Sequence, residues 1–563
     1  MATIGMEHKD IGSHHGNFVL TGTRQQPISS QATVRRGHHV RNAISALFAN
    51  TGGDTFGAKF DTFVDELLPD CSIEETANFV RVAGKKSRDN TDLHVLRRLP
   101  DIASKLDSLA SYLWNFTEIS FIIYGLQSCK ESNSGHSRIM LTMSKIATRT
   151  LLANEAVNAE SLSMILYGLR SNEFNFSKSK VMLSCLHRIV DKCRDQLDAQ
   201  AVGDALYGMR GMSSDNEDVR SLLRALTPLV QGCTEQLSAQ GTGNALHGLQ
   251  GMSSDHKEVL SLLCALTPKL QRHGMQLSAN DIRNALSGLR SMGSDSEEVR
   301  SLLCALTPLV QGCMESLSAQ EVCNALHGLR GMRSDHDEVR SLLRALTPLV
   351  QGYTEHLSAQ VVENALIGLQ GMRSDHAEVR SLLRVLTPLV QGCNEPLSAG
   401  GVNALYGLRG MNSDHAEVRS LLCALTPLVQ GCKEQLREWE ASNALLGLQS
   451  MSSDHAEVLS LLRALTPLVQ GCKEQLSAIS VSNALNGLRG MSSDHAEVRS
   501  LLCVLTPHVQ GCTEQLSAIS VSKALLGLRG MRSDHAEVRS LLLALTPLVQ
   551  GCKEPLSAGG VNA

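Results

Sequence analysis

The chain reads as an all-α protein, an α-solenoid of tandem repeats of about 40 residues with two helices each, and three observations carry that reading. The segment Leu237–Gln271 returns almost letter for letter at a spacing of 40, marked by Asp215, Asp255, Asp295, Asp335 and Asp375. After a one-residue deletion near Gly400 the series continues at Asp414, Asp454, Asp494 and Asp534. Apolar residues fall at helical spacing, as in Val202, Ala205, Leu206 and Met209, which puts them on one face. Ser238, Gly251, Asp255 and Pro268 are capping and breaking residues set between those stripes. A unit this small buries its face only against its neighbours.

Taken in order, residues 1–38 form a tail expected to be disordered or to carry a targeting signal. Residues 11–53 lack Asp and Glu but include Arg24, Arg35, Arg36 and Arg41 among Ser, Thr and Gln, a transit-peptide-like composition. Residues 39–196 read as degenerate repeats. Val40-Arg41-Asn42-Ala43-Ile44-Ser45 resembles Ile282-Arg283-Asn284-Ala285-Leu286-Ser287, and Thr76–Lys85 fits more weakly. Tyr124-Gly125-Leu126 and Tyr167-Gly168-Leu169 then match Tyr207-Gly208-Met209. Residues 197–563 are near-identical repeats. The final Glu554–Ala563 repeats Glu395–Ala404, so the last unit is expected to be truncated inside a helix.

Within a unit, the first helix is expected from Ser238 to about Met252, capped by Ser238. Gly248-Leu249-Gln250-Gly251 lies inside it, with small residues that permit close helix approach. The second helix is expected to be capped by Asp255, with Glu258 completing a capping-box-like pair. Val259, Leu262, Leu263 and Leu266 form its apolar face. Thr267-Pro268 should kink it, since proline removes a backbone donor and clashes with the turn before it. The alternative is a short third helix and an armadillo-like unit.

Composition bounds the chemistry. No run of 18 apolar residues exists, so no membrane span is expected. The 16 cysteines recur chiefly at two repeat positions, Cys264, Cys304, Cys423 and Cys503 at one and Cys233, Cys313, Cys432 and Cys472 at the other. The first alternates with Arg224, Arg344, Arg384, Arg463 and Leu543, which no metal ligand would do, and free thiols of an intracellular protein are expected. Asp255-His256-Lys257-Glu258 and its copies place His and Glu two apart on a helix, facing different ways, which disfavours a metal site. No glycine elbow or phosphate-binding glycine loop is present. The expectation is a non-catalytic protein without metal or cofactor. Net charge is −4 and aromatic residues make up 3% of the chain, so neither a strongly basic stripe nor many base-stacking platforms are expected.

Two series vary while their surroundings are copied. One is Gly203, Gly243, Arg283, Cys323, Glu363, Val402, Ser442, Ser482 and Ser522. The other, four residues on, is Tyr207, His247, Ser287, His327, Ile367, Tyr406, Leu446, Asn486 and Leu526. Residues four apart share a helix face, so both series line one stripe along the first helices. The candidate ligand-facing residues are Tyr207, His247, Arg283, Ser287, His327, Glu363, Tyr406 and Asn486. Between the series, Asn244, Asn284, Asn324, Asn364, Asn403, Asn443 and Asn483 occupy one position, expected to form a ladder of amides from unit to unit.

Leu317-Ser318-Ala319-Gln320 followed by Asn324-Ala325-Leu326-His327-Gly328-Leu329 resembles the helical repeats of organellar RNA-metabolism proteins. These are the RAP-domain and FAST-kinase-like proteins, octotricopeptide-type repeats and repeat subunits of the RNA-editing substrate-binding complex. The resemblance covers roughly residues 100–563. It implies a binding scaffold for single-stranded RNA in RNA processing, in a mitochondrion or plastid. Near-neutral repeats and scarce aromatics favour the other reading, a protein–protein scaffold, cytoplasmic if the tail carries no signal.

Overall fold

The computed structural model describes residues 40–45, 47, 53–89, 93–127, 134–170, 176–270, 274–353 and 356–552. The expected tail 1–38 and the expected truncation at Glu554–Ala563 lie outside these residues. The chain divides into two compact units, Met1–Cys71 and Ser72–Ala563. In the first, residues 40–45 are helical. There the helix Gly53–Thr62 also tightens through a π-turn, Phe63–Leu67, into a 3-10 turn, Leu68–Asp70. Phe60, Phe63, Val64 and Leu68 are buried.

The second unit is an all-α solenoid of helix pairs, from Ile73–Asp89 with Leu93–Leu109 to Ala518–Gly527 with Ala536–Gln550. Each first helix packs on the first helices before and after it, and each second helix on the second helices, giving two layers. Among the described residues the one departure from helix and turn is an isolated bridge between Val157 and Cys193. None of the described helices is long and apolar enough to cross a membrane.

The first helix is shorter than the sequence leads one to expect. Ser238 caps it, its Oγ accepting the Gly241 N–H at 3.0 Å, but the helix spans Ala239–His247 and stops at Gly248. Gly251 lies past the end, at φ +97°, where L side chains are strained. Gly248 has the other role: a Cβ there would sit 1.9 Å from the Leu206 carbonyl oxygen of the preceding first helix. The two glycines thus do different work, one letting backbones touch and the other turning the chain.

The second helix departs from expectation in two ways. Asp255 does not cap it; His256 occupies the N-cap position without a side-chain bond, and the helix begins at Lys257. Glu258 makes no capping box and instead accepts from Arg224 of the preceding unit at 2.9 Å. Nor does Thr-Pro start a third helix. Glu297–Gln311 continues as one helix through Pro308, which lies about one turn from the helix end and so interrupts the backbone ladder only in the last turn. Thr307 adds a bond from its hydroxyl to the Leu303 carbonyl at 2.7 Å. Only Thr267–Lys269 tightens to a 3-10 turn, in a unit whose second helix is Lys257–Leu266.

Neighbouring units are tied by bonds recurring at about one repeat. Buried Ser254, Ser294 and Ser334 accept the backbone N–H of Gly293, Arg333 and Arg373 at 3.0, 2.8 and 2.8 Å. His256 and His455 lie 3.3 and 3.1 Å from Asp215 and Asp414 of the unit before. Glu235, Glu315 and Glu395 reach back to cap the first helices at Ala199, Ala279 and Ala359, accepting at 3.0, 2.7 and 3.0 Å. The Asp-His string is therefore joinery between units. At Gly400, where one residue is deleted, the first helix is Ala399–Asn403 followed by a 3-10 turn, Ala404–Leu408.

Candidate binding face on the first helices

The face to consider runs through the second residue of each first helix, the two variable series, and the residue three beyond the second series. In one unit these are Gln240, Gly243 and His247, whose spacing of three or four keeps them on one side of the helix, and Gln250 in the turn that follows.

The structure brings part of the candidate stripe together. Tyr124, Tyr167, Tyr207 and His247 form a ladder of rings, with successive centroids 5.7, 5.6 and 6.0 Å apart. Tyr207, Arg283, His327 and Tyr406 are half-buried. His247, Ser287, Glu363 and Asn486 are buried. The Glu363 carboxylate turns to the next unit, accepting from Ser398 Oγ at 2.7 Å and its N–H at 3.2 Å. Arg283 reaches Asn280 on its own helix, Nε to Oδ1 at 3.2 Å. Burial, aided by the charge of Arg210, pushes His247 down to about 4. Burial, with Arg290 next, also lowers His327. The rings are therefore neutral at physiological pH.

The expected amide ladder exists in one direct rung, Asn443 Nδ2 to Asn403 Oδ1 at 3.0 Å. Elsewhere the amide finds other partners. Asn364 donates to Cys323 Sγ at 3.2 Å and lies 2.9 Å from His327 Nδ1. His247 lies 3.3 Å from the Asn284 backbone oxygen rather than its side chain.

Sequence reasoning missed a row of arginines beside the rings: Arg170, Arg210, Arg290, Arg330, Arg409, Arg489 and Arg529, with Gln250, Gln370 and Gln449 interspersed. The signal was present, since the third position of the Gly-Leu-x-Gly string (Gly-Met-x-Gly once, Gly-Leu-x-Ser twice) holds only Arg or Gln from Arg210 onward. A net-charge count over the unit averages it away. Arg170 lies over the rings of Tyr167 and Tyr207, 4.3 and 5.2 Å from their centroids. Among the described residues, Arg210, Arg290, Arg330, Arg409, Arg489 and Arg529 have no carboxylate partner. Arg330 and Arg409 bond the amide oxygens of Gln370 and Gln449 at 3.3 and 2.9 Å. Burial, then repulsion from Arg330, lowers the Arg290 guanidinium. The second helices differ. Arg224, Arg344, Arg384 and Arg463 pair with Glu258, Glu378, Glu417 and Glu497 at 2.9, 2.6, 2.6 and 2.5 Å. In the turns, Arg333, Arg373 and Arg532 pair with Asp335, Asp375 and Asp534. These arginines of the second helices and turns are thus neutralised by carboxylates, while among the described residues Arg210, Arg290, Arg330, Arg409, Arg489 and Arg529 are not.

No group of three or more His, Cys, Asp or Glu side chains able to hold a metal ion occurs among the described residues. The described cysteines are free thiols, and burial raises Cys185 to about 11.

No family model and no curated protein matches the chain. Solved structures resemble it at low identity. A chain of the AP-3 complex is 10% identical, with 93% of this chain and 89% of that one covered, at a TM-score of 0.32. The structure of the SYS-1/POP-1 complex gives 12% identity, 92% and 100% coverage and a TM-score of 0.22. The pentatricopeptide repeat protein PPR10 from maize gives 11% identity, 94% and 90% coverage and a TM-score of 0.20. At these TM-scores the likeness carries no functional argument.

Proposed function

We propose that this helical-repeat protein is a non-catalytic scaffold that binds single-stranded RNA along its first-helix face, in organellar RNA processing. One observation carries the reading. Arg210, Arg290, Arg330, Arg409, Arg489 and Arg529 of that face lack carboxylate partners among the described residues, while Arg224, Arg333, Arg344 and Arg373 of the second helices and turns are paired with Glu or Asp. Like charges held in a row repel, and an anionic polymer with regularly spaced phosphates relieves that repulsion. Tyr124 and Tyr207, the half-buried rings of the ladder, add apolar surface, which stacks with bases without regard to sequence. The acid-free segment 11–53 supports delivery to a mitochondrion or plastid, and a fluorescent reporter fused behind residues 1–60 tests it.

The binding test is titration of the full chain with a labelled single-stranded RNA of mixed sequence across salt. Each phosphate contact on a single strand contributes about 0.7 to the slope of log affinity against log salt. Replacing Arg210, Arg290 and Arg330 by Ala is expected to weaken binding and flatten that slope by about 2. The same replacement at Arg224, Arg344 and Arg384, which are already paired, is expected to change the slope little. Absence of binding at low salt would end the RNA reading.

A further inference from the structure

The second residue of the first helix is polar or Gly in six consecutive units, Gln200, Gln240, Asn280, Gln320, Gln360 and Gly400, then becomes Trp439, Ile479 and Ile519. These three apolar side chains are exposed, at 42%, 67% and 69% of their surface. The first variable series changes in the same three units, to Ser442, Ser482 and Ser522. Each hydroxyl is turned back on its own helix, donating to the carbonyls of Trp439, Ile479 and Ala518 at 3.1, 2.9 and 2.8 Å. What remains is an exposed apolar row, then the three serines, then Leu446, Asn486 and Leu526, and beyond them Gln449, Arg489 and Arg529. Arg409 of the unit before is bonded to the Gln449 amide at 2.9 Å.

We infer that this section of the first-helix face docks an amphipathic α-helix of a partner protein, with its apolar stripe on Trp439, Ile479 and Ile519 and acidic residues along the edge facing Arg409, Arg489 and Arg529. Three features fit that occupant. Packed helices lie about 8–10 Å apart, and residues seven apart on a ligand helix lie about 10 Å apart. A helix laid across the three units therefore presents one apolar residue to each. The rows are ten residues apart, about 15 Å along a helix, enough to seat a helix about 10–12 Å wide. The three arginines have no carboxylate partner among the described residues, so an acidic flank complements them. Two of the three exposed residues are aliphatic and offer no π-face, which disfavours base stacking at this section. Arg409, Arg489 and Arg529 are shared with the RNA reading, which rests also on Arg210, Arg290 and Arg330 and on the rings of the earlier units.

The chain contains two tryptophans. Trp114 is fully buried and donates to the Leu109 carbonyl at 3.1 Å, so a ligand-induced change in tryptophan emission reports on Trp439. The probe is a synthetic helical peptide of about 21 residues, six turns, with Leu at heptad spacing and Glu along one flank; a twin carries Lys on that flank. The full chain is titrated with each. The acidic peptide is expected to shift Trp439 emission to the blue, and the Lys twin to bind at least about tenfold more weakly. Ile479→Ser with Ile519→Ser is expected to weaken the acidic peptide by about tenfold or more, with helical circular dichroism unchanged. No shift with either peptide while RNA still binds would overturn the inference and leave the proposed function standing. A blue shift caused by single-stranded RNA that displaces the peptide would also overturn it, assigning the row to RNA. Peptide binding without RNA binding would leave the inference standing and remove the proposed function.

Discussion

Asn364 holds two side chains of the preceding unit at once, donating to Cys323 Sγ at 3.2 Å and meeting His327 Nδ1 at 2.9 Å. Asn324, at the same position one repeat earlier, makes no side-chain bond among the described residues. Asn364→Ala is therefore expected to cost about 1–3 kcal/mol, the penalty for stranding partly buried partners, and Asn324→Ala less than 1 kcal/mol. Urea unfolding of the two variants separates them; equal losses would mean that the amide acts only as packing.

Glycines of two neighbouring helix pairs give a sharper contrast. A Cβ on Gly328 would lie 2.1 Å from the Leu286 carbonyl oxygen, whereas one on Gly312 would meet nothing nearer than the Pro308 oxygen at 3.5 Å. Gly328→Ala must push two first helices apart, at about 1–3 kcal/mol or more. Gly312→Ala, at a helix C-cap with φ −77°, should be close to neutral. Thermal midpoints of the two variants check this.

Ser334 and Ser533 stand in the same Arg-Ser-Asp-His string yet should respond differently. Ser334 is fully buried and accepts the Arg373 N–H at 2.8 Å; Ser533 is exposed. Ser334→Ala is expected to lose about 1–2 kcal/mol, and Ser533→Ala to fall within about 0.5 kcal/mol of the parent. Chemical denaturation measures both.

Acid should loosen the unit around His247. In the fold its pKa is near 4, against about 6.5 in an unfolded chain. Between those values the unfolded state binds the proton and the folded state does not, so stability falls as pH drops. The loss begins near pH 6.5 and is complete near pH 4; from pH 7 to pH 5 it is about 2 kcal/mol. His247→Tyr, the residue that Tyr207 places in the same row, should remove this pH dependence. Denaturation midpoints at pH 7 and pH 5 decide it.

Much of the architecture was legible because its causes are local. The 40-residue period, the 3.6-residue stripes and the Ser238 cap all act within one unit. The misread features act between units. Asp255 looks like a cap because the rule for caps considers only the next three residues. In the fold the equivalent Asp215 and Asp414 face the histidine 41 residues on, and Glu258 serves Arg224, 34 residues before it. The arginine row escaped for a related reason: Arg210 and Glu217 cancel in a count of charge, yet Arg210 follows the first helix of the unit and Glu217 begins the second. Aligning the copies column by column, rather than summing each one, exposes such rows.

The short unit at Gly400 shows how such a chain can survive errors in copying. A 3-10 turn advances about 2.0 Å per residue where an α-helix advances about 1.5 Å. The five residues Ala404–Leu408 thus regain about 2.5 Å, more than the deleted residue took away. Gly407 still meets the Leu366 carbonyl of the unit before, and Asn412 still bonds Ser374 at 2.8 Å. A slip of a single codon is absorbed inside one helix and the units downstream keep step. A lineage that lengthens by copying itself can therefore tolerate untidy edits at its seams.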